Sequence, residues 1–66
     1  NINTATQAQL ESLPRIGPAL AQEIIRYRQE HGPFKNISAI QDVPGIGASI
    51  FDKIKDMITV EDQPMD

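Results

Sequence analysis

Apolar residues recur along the chain at helical spacing, in short runs interrupted by Pro and Gly. Ala5, Leu10 and Leu13 give an apolar side to a first short helix. Leu20, Ala21, Ile24, Ile25 and Tyr27 form the broad face of a second, running from about Pro18 to His31. Ile50, Phe51, Ile54, Met57 and Ile58 are the buried candidates of a last helix over Ala48 to Ile58. Start and stop signals frame these runs. Asn3 or Thr4 can cap the first helix, and Thr4 with Gln7 fits a capping box, in which each side chain satisfies a free backbone N–H. Pro14 closes that helix, because a proline disfavours helical geometry in the residue before it. Pro18 suits the first position of the next helix, where its missing N–H costs nothing. Gly32 and Pro33 end it, and Ser38 with Gln41 is a second capping box opening a short helix through about Asp42. The pattern predicts an all-α fold of four to five short helices.

The chain also repeats itself. A shift of 30 positions lays Leu13-Pro14-Arg15-Ile16-Gly17 on Val43-Pro44-Gly45-Ile46-Gly47. The match extends outward, with Leu10 on Ile40, Leu20 on Ile50, Ile24 on Ile54 and Tyr27 on Met57. Because the flanking helix pattern travels with the glycines, the repeat is a structural unit and not a chance match of turns. Two helix pairs related by a pseudo-twofold axis are expected. The domain spans 1–60, with one motif over about 4–31 and a second over about 38–58, and 61–66 read as an acidic disordered tail.

Each glycine-bearing turn leads straight into a helix N-terminus. Free N–H groups there, with the helix dipole, suit an anion such as phosphate. Glycine lets another backbone come close, while Ile16 and Ile46 are expected to point inward and clamp each turn to the core. Two such turns can grip two phosphate runs.

Composition narrows the chemistry. At 66 residues the chain is one small domain, burying only about 60% of the surface it exposes when unfolded, which argues against a deep catalytic pocket. There is no cysteine and one histidine, His31, so disulfides, zinc knuckles and thiol chemistry are excluded. The acidic residues show no paired spacing for acid–base work, and no phosphate-loop lysine, nucleophile elbow or metal-ligand cluster appears. No apolar stretch approaches the ~18 residues of a membrane span. The chain begins at Asn1 and reads as an excised domain or processed product, with any anchor outside it. The formal charge is −3, from six basic and nine acidic residues. Glu61, Asp62 and Asp66 lie in the terminal stretch, so the body is neutral. A neutral body suits nucleic acid only where backbone groups, more than a basic field, make the contacts.

The pattern Leu-Pro-x-Ile-Gly-Pro and Val-Pro-Gly-Ile-Gly, each between helices, resembles the helix-hairpin-helix motif. The tandem pair, the opening Asn1-Ile2-Asn3-Thr4-Ala5, and Tyr27-Arg28 followed by Gly32-Pro33-Phe34 resemble the ComEA family of competence DNA receptors over residues 1 to about 60. The resemblance implies an all-α, SAM-like bundle that binds the phosphate backbone of double-stranded DNA without sequence preference. It implies no catalytic role, and a position outside the cytoplasm, on the periplasmic side or cell surface, with DNA-uptake machinery as a partner and a membrane anchor N-terminal to this region. It carries a minor-groove mode onto Arg15, Ile16, Gly17, Pro18 and Ala19 in the first hairpin, and onto Gly45, Ile46, Gly47, Ala48 and Ser49 in the second. A monovalent cation held by hairpin carbonyls is the one cofactor this motif admits.

The chain departs from the motif in two places. Arg15 stands where the first glycine is usual, which either distorts hairpin one or adds a phosphate contact. Ala19 and Ser49 stand at or near positions where many DNA-binding members carry lysine; Ser49 can still donate a hydrogen bond, and Ala19 cannot. Weak binding is expected, within the ~10⁻⁴ to 10⁻⁶ M range of non-specific complexes, with a salt slope of about −2 to −4. Arg26, Arg28 and Lys35 either extend a cationic surface or, for Arg26 and Arg28 in the last turns of a helix, are solvated helix surface, which is the favoured reading. Lys53 and Lys55, alternating with Asp52 and Asp56, read as an exposed face. His31 reads as a surface or capping residue at a helix C-terminus. Two other functions fit the same architecture: a protein-interaction or structural module that has lost DNA binding, and an accessory domain of a DNA enzyme.

Overall fold

The structure, a computed structural model, describes residues 1–60, and the expected acidic tail lies outside them. The described residues form three α-helices and one 3₁₀ helix: α1 (Gln7–Glu11), α2 (Pro18–His31), η1 (Ile37–Asp42) and α3 (Ala48–Ile54). The all-α expectation holds. α2 has the predicted bounds, with Pro18 in its first turn and Gly32 as its C-cap.

The first cap is two residues later than the Thr4–Gln7 pairing predicts. Thr6 is the N-cap of α1: its Oγ1 accepts from the Gln9 amide at 3.2 Å, and Gln9 Oε1 accepts from the Thr6 amide at 3.0 Å. Asn3 caps nothing. Its Nδ2 donates to the Phe34 carbonyl at 3.1 Å and its Oδ1 accepts from the Phe34 amide at 2.7 Å. The helix then stops at Glu11, with Ser12 as C-cap, ahead of Pro14.

The second capping box is likewise displaced. Asn36 caps η1, its Oδ1 accepting from the Ala39 amide at 3.0 Å and from the Ser38 hydroxyl at 2.7 Å. Gln41 donates to the Ser38 carbonyl and does not reach back to a cap amide. The segment is 3₁₀ for a packing reason. At three residues per turn, positions three apart eclipse, so Ile37, Ile40 and Val43 fall in one row, and Ile40 and Val43 are buried.

α3 ends at Ile54, short of the predicted Ile58. The chain turns at once, the Met57 amide donating to the Ile54 carbonyl at 2.8 Å. This returns Ile58 to the core and leaves Met57, an expected core residue, 62% exposed. The core joins both repeats: Leu10 with Ile40, Ile16 with Ile46, and Ile24 with Ile54 are all buried.

Ile2 completes that core. Its amide donates to the Thr59 carbonyl at 2.9 Å, so the two ends of the described chain meet. The Arg28 guanidinium donates to the carbonyls of Ile2 and Ala5, both at 2.8 Å. Arg28 is therefore a half-buried clamp on the N-terminal segment, not the solvated surface its position near the end of α2 suggests.

Candidate nucleic-acid interface

The two hairpins have equivalent backbones. The Ile16 amide donates to the Leu13 carbonyl at 3.1 Å, and Ile46 to Val43 at 3.0 Å. The first helical bonds also correspond, Ala21 to Gly17 at 2.9 Å and Phe51 to Gly47 at 3.0 Å. Both N-caps are glycine in extended geometry, φ −97° and ψ −172° at Gly17, φ −104° and ψ −171° at Gly47. Arg15 therefore leaves hairpin one undistorted. It adopts φ 71°, the left-handed region that its counterpart Gly45 occupies at φ 94°. For a residue with a Cβ that region costs roughly 1–2 kcal/mol.

Ile16 and Ile46 are buried, and so anchor each turn. Arg15, Gly17, Pro18 and Ala19 in the first hairpin, and Gly45, Gly47, Ala48 and Ser49 in the second, are exposed. The hairpins also abut. A Cβ on Gly45 would stand 2.6 Å from Leu20 Cδ2, so the apex of hairpin two lies against the first turn of α2. Leu20 joins the site as a supporting residue; its place in the apolar stripe of α2 shows only that it packs, not that it packs on a turn.

Gly17 and Gly47 obey a different logic from Gly45. Their φ values are open to any residue, and a Cβ at either would meet nothing within 4 Å. Neither glycine is needed by the fold. Each sits where the first amides of a helix have no intrahelical partner, and neither carries a side chain to cap them. The result is two exposed, unobstructed backbone surfaces with donor groups facing outward, a chemistry suited to anions.

Side-chain charge adds little to this surface. Arg26 pairs with Glu23 at 3.9 Å and Glu30 at 3.6 Å. Lys55 pairs with Asp52 at 3.0 Å, and its hydrogen bond to that carboxylate, then their mutual attraction, raise its pKa. Arg28 is used internally. Among the described residues this leaves Arg15, Lys35 and Lys53 without an acidic partner, and only Arg15 belongs to a hairpin. His31 stacks on Tyr27, which stacks in turn on Phe34, with centroids 4.3 and 5.5 Å apart. No group of three or more His, Cys, Asp or Glu among the described residues could hold a metal ion. No helix among them is long and apolar enough to cross a membrane.

Several known proteins are similar to this chain in sequence. ComE operon protein 1 of Bacillus subtilis (strain 168) is 49% identical over 61 residues, covering 92% of this chain and 30% of the relative. An endonuclease/exonuclease/phosphatase family domain-containing protein 1 of Mus musculus is 41% identical over 61 residues, covering 92% of this chain and 11% of its own length. An uncharacterized protein of Haemophilus influenzae is 42% identical over 59 residues and is covered to 53%. The chain thus spans about a third or less of the two named relatives. The resemblance to the ComEA family, read from the tandem spacing, the opening Asn1–Ala5 and the Tyr27–Phe34 stretch, holds. The helix-hairpin-helix motif family matches residues 1–59, and the chain belongs to it.

Proposed function

We propose that this chain binds double-stranded DNA without sequence preference, each hairpin offering backbone amides and a helix N-terminus to phosphates on either side of the minor groove. Arg15, Ile16, Gly17, Pro18 and Ala19 form one grip; Gly45, Ile46, Gly47, Ala48 and Ser49 form the other. The observation that carries this reading is the pair Gly17 and Gly47, exposed N-cap glycines over which a Cβ would meet nothing within 4 Å, so that the backbone at both helix starts is open to a partner. Phosphate contacts of this kind position a protein but carry no sequence information. The domain acts as a binder and not a catalyst; its match to the endonuclease-named relatives covers 11% of their length. Its likeness to ComE operon protein 1 extends the reading to competence: an extracytoplasmic receptor that captures duplex DNA for an uptake machine, tethered through a segment N-terminal to this region.

A second reading, a protein-interaction or structural module on the same fold, is favoured by the formal charge of −3 and the lone hairpin cation. One experiment separates the two. Two labelled duplexes of unrelated sequence are titrated with the chain at low and near-physiological salt and followed by fluorescence anisotropy. The DNA reading expects similar, saturable binding to both, in the ~10⁻⁴ to 10⁻⁶ M range, and a severalfold loss in Gly47→Val with the helical circular dichroism retained. No binding at low salt would leave the interaction module.

A further inference from the structure

The two hairpins are not alike at their apices. Hairpin two carries Gly45, held in the left-handed region with Leu20 filling the place of a Cβ, and so with no side chain to offer. Hairpin one carries an arginine in the same strained backbone geometry, exposed and in no ion pair or hydrogen bond of the described residues. A glycine would occupy the position without strain, as its counterpart does. Position 45 lies at the seam between the hairpins, and position 15 is its equivalent by the repeat. The guanidinium therefore leaves hairpin one from an exposed apex with no internal partner among the described residues, free to enter a groove that the hairpins straddle.

From this asymmetry we propose that Arg15 reads minor-groove width, giving a domain without base contacts a preference for narrow-grooved DNA. The inference rests on the minor-groove reading given above. A-tracts have a stiff, narrow minor groove whose negative potential is concentrated, and a guanidinium entering it gains most where the walls are closest. Arginine suits the task better than lysine because its charge is delocalised and weakly hydrated, so less is lost on leaving water. The preference is one of shape, since both A·T orientations present the same acceptors there.

The test uses three labelled duplexes of equal length: an A-tract, a G·C-rich sequence, and that sequence with inosine replacing guanine. Inosine lacks the 2-amino group that guanine presents in the minor groove and leaves the major-groove edge unchanged. The wild-type chain is expected to bind the A-tract about threefold to tenfold more tightly than the G·C duplex, with the inosine duplex close to the A-tract. Arg15→Gly, which relieves backbone strain and keeps the fold, should bind all three with nearly one affinity. Equal wild-type affinities, or a loss in Arg15→Gly that is the same on every duplex, would overturn the proposal; the second result would make Arg15 a phosphate contact. Absence of binding to all three would overturn the DNA reading itself and this inference with it.

Discussion

Three hairpin glycines that look interchangeable in the sequence answer to different physics. Gly45 is needed by the fold: φ is 94°, and the space beside its Cα is filled by Leu20. Gly17 and Gly47 are free of both constraints. Gly45→Ala should therefore destabilise the domain by about 1–3 kcal/mol, the sum of left-handed strain and a displaced Leu20 side chain. Leu20 Cδ2 is the end of a flexible chain and can give way, which keeps the cost from rising further. Urea unfolding followed by circular dichroism measures it. Gly47→Ala, by contrast, should cost under about 1 kcal/mol, the difference between glycine and alanine as an N-cap. Equal costs at the two positions would mean that the seam between the hairpins is looser than the Leu20 contact implies.

Elements this short depend on their ends. α1 has five residues, well below the ~12–15 at which a helix is even marginal alone, so its reciprocal Thr6–Gln9 cap carries weight. Thr6→Ala should cost about 1 kcal/mol, read as a lower midpoint in thermal unfolding, while Thr4→Ala should leave the midpoint unchanged. That contrast also explains what was legible in the sequence. The repeat, the hairpins, the bounds of α2 and the inward Ile16 and Ile46 follow from local spacing and turn chemistry, and all are found. Thr4–Gln7 and Thr6–Gln9 satisfy the same local rule, and only tertiary structure chooses between them. Ile2 must reach the core and Asn3 is engaged by Phe34, so the chain cannot become helical until Gln7. Asn36 displaces Ser38 as cap because the 3₁₀ row must bring Ile40 and Val43 inward. Arg28 and Met57 depart from their local pattern for the same reason: one reaches across to carbonyls 26 and 23 residues away in sequence, and the other lies in a turn that returns Ile58 to the core. Within the candidate site, the left-handed geometry of Arg15 and the open space over Gly17 and Gly47 are set by the folded hairpins, not by residue type.

For the molecule as a whole, the decisive quantity is how little positive charge remains free. The six basic residues balance the acids of the body, yet the structure commits three of them. Arg28 holds the N-terminal segment that buries Ile2 and joins the two ends of the described chain, Arg26 faces Glu23 and Glu30 along α2, and Lys55, the C-cap of α3, faces Asp52. A total stability of about 3–10 kcal/mol is typical for a chain of this size, so the Arg28 clamp cannot be released to serve DNA without endangering the fold. Among the described residues three cations are left without an acidic partner: Arg15, Lys35 and Lys53. Each cation that neutralises a phosphate contributes about −0.9 to the slope of log K against log salt. Binding should then show a slope no steeper than about −3, against about −5 if all six took part. Anisotropy titrations across several salt concentrations measure this, and Arg15→Gly should make the slope shallower by about 1, because a guanidinium in the groove displaces counterions as one on a phosphate does. A slope steeper than about −4 would mean that the ion pairs of Arg26 and Lys55 open on the DNA, shifting the interface from hairpin amides toward helix surfaces. A slope near zero would leave the backbone amides as the whole grip and remove Arg15 from contact.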